Sequence, residues 1–208
     1  MHVAHRVQQR AHLLLAGTNH SWIRMPGRRY AERGCQIEMA EAVARAFDTG
    51  EHLAVQAGTG TGKSTFAPYR LMDPPPESYE NLPAGAPFAK LTDLGQIVVT
   101  EPRVQAARGV AGYVGGVLSG AGGVGPGFPV GYQVSGDRNH DEACQLVYVT
   151  DGTMINWLRE GRLSRIGTVI VDEAHERSVN IDFIMGYLRR ELDRHPHLRV
   201  IITSATFD

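Results

Sequence analysis

The sequence has few cysteines and no long apolar run, and both absences exclude whole classes of protein. Cys35 and Cys144 are its two cysteines, too few for a four-cysteine zinc site or for holding an iron–sulfur cluster. No apolar run approaches the roughly 20 residues that cross a bilayer, and the Leu13-Leu14-Leu15 patch is too short for a signal-peptide core. Nothing requires an oxidising compartment, so we expect a cytoplasmic protein without a membrane partner.

Net basic charge is also lacking. The 208 residues carry a formal net charge of -1, so any contact with nucleic acid must come from a local surface rather than from a chain-wide positive field. The exception is segment 1–33, which has one acid, Glu32, against six arginines: Arg6, Arg10, Arg24, Arg28, Arg29 and Arg33. Two interpretations stay open for this segment, a solvated arm or irregular cap and an arm that contacts phosphates.

Apolar segments alternate with segments of helical periodicity. We predict strands at 53–57, 97–100, 130–134, 145–150, 166–171 and 199–203, and helices at 36–47, 63–72, 104–118, 152–159 and 180–193. Because the strands are apolar throughout, they favour a mostly parallel sheet with helices on both faces, an α/β fold. We expect loops at 73–95 and 120–127 and a polar turn at 136–141. Ligands of such sheets bind beyond the carboxyl ends of the strands.

A glycine-rich segment follows the first predicted strand. Residues 57–64 read AGTGTGKS and lead into a predicted helix. Glycines let main-chain N–H groups surround phosphate oxygens, and the helix directs its positive end at the same anion. A glycine-rich turn with a chance Lys-Ser is the alternative, but the strand before it and the helix after it favour a phosphate loop. The predicted nucleotide-binding residues are Gly58, Thr59, Gly60, Thr61, Gly62, Lys63, Ser64 and Thr65.

Two adjacent acids, Asp172 and Glu173, follow the strand that ends at Val171. One carboxylate there can hold Mg²⁺, and the next can orient and deprotonate an attacking water. Alone, the pair could equally mark a helix N-terminus, where acids are favoured. Ser204-Ala205-Thr206 follows the last strand and is weak by itself, since small hydroxyl residues also form turns and caps.

Six stretches together carry a family resemblance. They are GTGTGKST at 58–65, TEPR at 100–103, VGYQV at 130–134, TDGT at 150–153, DEAHERS at 172–178 and SAT at 204–206. From about residue 52 onward the chain resembles the first RecA-like domain of DEAH-box helicases, the DEAH/RHA branch of superfamily 2. The resemblance implies a RecA-like P-loop NTPase fold over 34–208. It also implies ATP and Mg²⁺ as ligands, and hydrolysis stimulated by single-stranded nucleic acid, RNA more readily than DNA.

The resemblance also implies roles for individual residues. Lys63 and Ser64 would bind phosphate and Mg²⁺, Asp172 would hold the metal, and Glu173 would be the catalytic base. Three residues resemble those that couple the nucleotide site to nucleic acid and to a second lobe: His175, Ser204 and Thr206. Two resemble those that touch the nucleic-acid backbone: Arg103 and Thr150. Arg177 we expect in a structural ion pair.

The chain departs from the family pattern in several places. The segment around Cys35 and Gln36 looks more like the iron–sulfur helicase group, in which a glutamine at this place can read adenine, and that role for Gln36 stays open. The sequence ends at Asp208, before the second RecA-like lobe and its arginine fingers, so we expect the 208 residues alone to bind nucleotide weakly and turn over slowly. A DNA translocase and a non-cycling nucleotide-binding module remain the alternative functions.

Overall fold

A computed structural model describes residues 20–25, 28–33, 53–56, 64–72, 95–119 and 123–205. Within these ranges it describes only the backbone at 20–25, 28–33, 53–56, Phe66 and Arg70. The strands are β1 (His20–Met25), β2 (Arg28–Arg33), β3 (Leu53–Gln56), β4 (Gln96–Glu101), β5 (Val130–Val134), β6 (Asp137–Asn139), β7 (Leu146–Thr150), β8 (Ile166–Val171) and β9 (Arg199–Ser204). The α-helices are α1 (Phe66–Met72), α2 (Val104–Ser119), α3 (Asp151–Arg159) and α4 (Val179–Glu191). Two short 3₁₀ turns precede and follow β8, at Arg162–Arg165 and Ala174–Glu176.

Seven of the described strands form one sheet in the order β3-β9-β8-β4-β7-β5-β6. Every neighbouring pair is parallel except the edge pair β5–β6, which is antiparallel. The predicted mostly parallel sheet is therefore confirmed. The order is not the chain order, since β9 lies between β3 and β8 and β4 lies between β8 and β7.

Alternate residues of the central strands pack into two separate hydrophobic cores, one on each face of the sheet. Ile97 and Val99 of β4 pack on the side of α1 and α2, whereas Val98 between them packs on the side of α3 and α4. All three are fully buried. Because both faces are covered by helices, the strands carry no polar face toward water, which explains their unbroken apolar sequences.

Two segments differ from the expectation of irregular chain. Residues 137–139, within the predicted polar turn, form β6 after a tight turn in which Gly136 has φ 74. The sequence Asp-Arg-Asn gives no apolar signal because this strand lies at the edge of the sheet. In the basic segment 1–33, β1 and β2 form an antiparallel pair.

Three predicted segments lie outside the described residues: the helix at 36–47, the phosphate loop at 57–63 and most of the loop at 73–95. Among the described helices, none has both the length and the apolar character needed to cross a membrane.

Candidate nucleotide and nucleic-acid site

Five neighbouring strands have their carboxyl ends on one side of the sheet, and each leads into a sequence motif. The strands β3, β9, β8, β4 and β7 are neighbours and run in the same direction. Their carboxyl ends lead respectively into the phosphate loop, SAT, DEAH, TEPR and TDGT segments. The sequence separates these segments by up to about 150 residues (from 58 to 206), and the topology of the sheet brings their strand ends together. The predicted position of the chemistry, beyond the carboxyl ends of parallel strands, agrees with this arrangement.

Asp172 lies at the centre of this edge and has no solvent exposure. Its Oδ2 accepts a hydrogen bond from the hydroxyl of Ser64, the residue after Lys63. Its Oδ1 accepts one from the hydroxyl of Thr203 at 2.5 Å and one from the main-chain N–H of Glu173 at 2.7 Å. A buried carboxylate needs such donors to offset its lost hydration. The bonds join the acid that follows β8 to Ser64, two residues before α1, on one side and to Thr203 of β9 on the other.

Glu173 adopts a left-handed backbone conformation, with φ 52 and ψ 36. A non-glycine residue held in this region costs on the order of 1–3 kcal/mol, and such residues cluster at functional sites. The side chain of Glu173 is 23% exposed, so it lies at the surface of the site rather than within the sheet. The 3₁₀ turn that follows keeps the chain from continuing directly into α4.

His175 joins the acidic motif to the last strand. Its Nδ1 lies 3.2 Å from the main-chain N–H of Ala205, which donates to it, and 3.3 Å from Oε2 of Glu173. One ring nitrogen cannot accept from Ala205 and donate to Glu173 at the same time. The ring therefore bonds to the SAT segment when Nδ1 is unprotonated and to Glu173 when Nδ1 carries a proton. The structure brings His175 to the main chain of Ala205. Thr206 lies outside the described residues, and the coupling roles that the resemblance implies stay predictions.

The oxygen atoms at Asp172 suit Mg²⁺. A carboxylate oxygen and the Ser64 hydroxyl are already adjacent, and both are the hard oxygen donors that Mg²⁺ prefers. Magnesium in nucleotide sites usually takes one or two protein ligands and completes its shell with water and substrate phosphates. The donor set therefore fits the predicted ion. Lys63 and Gly58 to Gly62 lie outside the described residues, so their roles remain predictions.

Arg103 and Thr150 lie at the ends of adjacent strands, but their side chains differ in availability. The Arg103 side chain is 77% exposed and its Nη2 lies 3.3 Å from Oε1 of Glu176. The Thr150 side chain is buried, and its hydroxyl shares a 2.9 Å hydrogen bond with that of Thr153. Arg103 therefore presents its charge to solvent, whereas the Thr150 hydroxyl already has a protein partner.

Several residues of this edge were not singled out from the sequence. Asp151, directly after β7, is buried, and Glu176 lies near enough to act on its charge. Burial, and secondarily the negative charge of Glu176, raises the pKa of Asp151 to about 6. Thr203 and Tyr148 lie inside apolar strands, where a single polar group gives no periodic signal. Asp151 and Glu176 lay within the matched stretches TDGT and DEAHERS, which was the signal available for them.

The arginine that follows Glu176 forms the ion pair expected of it. Arg177 Nε lies 3.0 Å from Oδ1 of Asp182 in the first turn of α4. Arg177 has φ 47, so the turn from Glu173 to Arg177 begins and ends with a left-handed residue. Ser178 then caps α4 by accepting the N–H of Ile181 at 3.1 Å. This ion pair and cap fix where the acidic motif ends and the helix begins.

A parallel sheet whose first strand leads into a glycine-rich segment, with a buried, hydrogen-bonded acid and a histidine bonded to the segment after the neighbouring strand, is typical of a helicase-type nucleotide-binding domain. The family model for DEAD/DEAH box helicases matches residues 35–208, and the chain belongs to this family. The RecA-like fold class is thereby confirmed. Among solved structures, the chain is similar to the crystal structure of the DEAH/RHA helicase HrpB of Escherichia coli, with a TM-score of 0.65 and 28% sequence identity. The match covers 83% of this chain and 20% of that one.

Curated relatives carry related names. The chain is 37% identical over 155 residues to the ATP-dependent RNA helicase HrpA of Escherichia coli, covering 74% of this chain and 10% of that protein. It is 33% identical over 184 residues to the probable ATP-dependent RNA helicase DHX35 homolog of Caenorhabditis elegans, covering 86% of this chain and 21% of that protein. The chain thus spans about a tenth to a fifth of the length of these relatives.

Proposed function

We propose that this domain binds ATP with Mg²⁺ at the edge formed by Ser64 and Asp172 and hydrolyses it in response to single-stranded RNA. The observation that carries the proposal is the bond between these two residues, which lie 108 positions apart in the sequence. It places the acid of the DEAH segment directly beside the segment that follows Lys63. Relatives named as ATP-dependent RNA helicases support RNA as the nucleic acid.

The side chains divide the chemistry among them. Lys63 would contact the β- and γ-phosphates, and Ser64 and Asp172 would hold the ion. When bound, Mg²⁺ would neutralise the charge that develops on the transferred phosphoryl group. Glu173, at the surface of the site, would accept the proton of the attacking water. Its left-handed backbone turns the chain away from the strand direction directly after the buried Asp172.

The nucleic-acid contact would follow the ends of β4 and β7. Arg103 offers an exposed guanidinium there, and a phosphate oxygen can replace Glu176 as its partner because both are anions. At the end of β7 the Thr150 hydroxyl would make the predicted contact while keeping its bond to Thr153, since a hydroxyl has one donor and two acceptor sites. Contacts of this kind grip phosphates without reading sequence. Strand translocation would require a second RecA-like lobe, in the same chain or in a partner.

Single-turnover hydrolysis of radiolabelled ATP, with the protein in excess, tests the proposal even where turnover is slow. We expect hydrolysis to depend on Mg²⁺ and to rise more with a single-stranded RNA than with DNA of the same sequence. Glu173→Gln should abolish hydrolysis and keep ATP binding. The matched control is Glu142→Gln, which removes an exposed acid paired with Arg165 near the start of β8. Hydrolysis that persists in the Glu173→Gln variant would rule out this residue as the base, and stimulation by DNA alone would favour a DNA translocase.

A further inference from the structure

We infer that Tyr148 is a positioning residue of the nucleotide site, holding the main chain at Ser64 so that the Ser64 hydroxyl faces Asp172. The inference rests on the proposed function, because it concerns the same site. Tyr148 lies in β7, two strands away from β8, which Asp172 directly follows, and it has no solvent exposure. Its hydroxyl donates a hydrogen bond to the main-chain carbonyl of Ser64 at 2.8 Å.

The carbonyl of Ser64 needs this donor because of the residue four positions later. In an α-helix each carbonyl accepts the N–H of residue i+4, and the next carbonyl along, that of Thr65, accepts the N–H of Tyr69 at 3.3 Å. The corresponding donor for Ser64 would be residue 68, which is a proline and has no N–H. The Tyr148 hydroxyl therefore supplies the hydrogen bond that Pro68 cannot.

The packing of Tyr148 makes this bond rigid. Its ring lies in the core on the side of α1, together with Ala67 and Leu71 of that helix. A ring buried on all sides has little rotational freedom, so its hydroxyl stays at a fixed point. The start of α1 is thus anchored to the sheet by apolar packing and by one directional bond at its first turn.

Ser64 is consequently held at two atoms. Tyr148 of β7 donates to its carbonyl, and Asp172, directly after β8, accepts a hydrogen bond from its hydroxyl. With the carbonyl fixed, rotation of the peptide unit that would swing the hydroxyl away from the acid is opposed. Loss of the Tyr148 hydroxyl should therefore weaken binding of Mg²⁺ and nucleotide together, while the ring keeps filling the core.

The experiment measures binding of a fluorescent ATP analogue by the full chain, with and without Mg²⁺. Tyr148→Phe removes the hydroxyl alone. Tyr187→Phe is the matched control, because it removes a tyrosine hydroxyl that bonds to a main-chain carbonyl, that of Leu158, on the other side of the sheet. Pro68→Ala, introduced into the Tyr148→Phe chain, returns an N–H at the position that can reach Ser64.

We expect Tyr148→Phe to weaken Mg²⁺-dependent binding about fivefold, the effect of one lost hydrogen bond. Tyr187→Phe should leave it unchanged, and adding Pro68→Ala should restore most of the loss. Recovery is the result that a general packing role would not produce. Wild-type affinity in the Tyr148→Phe chain, absence of recovery in the double variant, or unfolding of the Tyr148→Phe chain would each overturn the inference. Failure of the wild-type chain to bind Mg²⁺ and ATP would instead contradict the proposed function itself.

Discussion

The Nδ1 atom of His175 accepts a hydrogen bond from the main-chain N–H of Ala205 at 3.2 Å. This bond joins the acidic motif after β8 to the segment after β9, and both segments follow strands that end at the proposed nucleotide site. If nucleotide binding moves one of these segments, the hydrogen bond would therefore transmit the movement to the other. The same nitrogen lies 3.3 Å from Glu173, so the histidine also touches the proposed base.

Replacing His175 should separate ATP binding from its stimulation by RNA. With His175→Ala we expect nucleotide affinity within about twofold of wild type and about fivefold less stimulation by RNA, the effect of one lost hydrogen bond. His175→Asn keeps a side-chain acceptor near the position of Nδ1 and should retain part of the stimulation. Equal stimulation in the alanine variant and the wild type, measured by single-turnover hydrolysis, would show that the histidine bridge does not couple the two segments.

The ion pair between Arg103 and Glu176 predicts opposite effects of two substitutions on RNA binding. Arg103→Ala should weaken binding of any single-stranded RNA and reduce the salt dependence of binding by about one phosphate contact. Glu176→Gln should strengthen binding about two- to threefold, because exposed ion pairs of this kind are worth less than about 1 kcal/mol. Fluorescence anisotropy across a salt series measures both.

The control substitutions for this ion pair lie at the amino ends of the strands, on the opposite side from Arg103 and Glu176. Arg165 and Glu142 form an exposed ion pair of 2.8 Å near the amino end of β8. Arg165→Ala and Glu142→Gln should leave RNA affinity and its salt dependence unchanged. If Arg103→Ala behaves like Arg165→Ala, the ends of β4 and β7 do not contact the RNA backbone.

The raised pKa of Asp151 predicts that the free energy of unfolding depends on pH. Its pKa is raised from 3.8 to about 6 in the folded state, chiefly by burial, so the folded chain holds this proton more tightly than the unfolded chain. Ionisation therefore lowers stability as pH rises from about 4 to about 6, and the cost is complete above that window. Asp151→Asn should raise the free energy of unfolding by about 2 kcal/mol at pH 7.5, with no gain below about pH 4.

Urea unfolding of the wild type and of Asp151→Asn between pH 4 and pH 8 measures the difference in their free energies of unfolding directly. Glu176→Gln removes the smaller cause of the raised pKa, so it should change the profile in the same direction by a smaller amount. A difference between Asp151→Asn and wild type that stays constant with pH would show that Asp151 does not titrate in this window.

Much of the fold was predictable because its signals are local. The strands from Gln96 to Ser204 are mostly unbroken apolar runs, and the central ones are buried on both faces, so sequence pattern and environment agree. The edge strand β6 was not predictable, since Asp137 to Asn139 are polar and pair with β5 only because Gly136 permits the turn. Strand order was equally beyond the sequence, as it depends on which distant strands pair.

The site divides in the same way. Asp172 and Ser64 belong to motifs with fixed spacing, so their residue types and positions in the sequence already indicate their chemistry. Tyr148 and Thr203 were assigned no role from the sequence, and their partners lie 84 and 31 positions away. Their roles arise from side chains meeting across the sheet, which no local pattern records. The Pro68 gap in hydrogen bonding could have been noticed in the sequence, but not the tyrosine that fills it.

The most direct test of the central claim is a double-mutant cycle on Mg²⁺-dependent ATP binding, using Ser64→Ala, Asp172→Asn and the two combined. Asp137→Asn, on the far edge strand, is the control. If the two residues hold one ion together, each single change should remove most of the gain in affinity that Mg²⁺ gives, and the double change should add little further loss. Additive losses, or a Mg²⁺ effect that survives in the double variant, would contradict a shared metal site between Ser64 and Asp172.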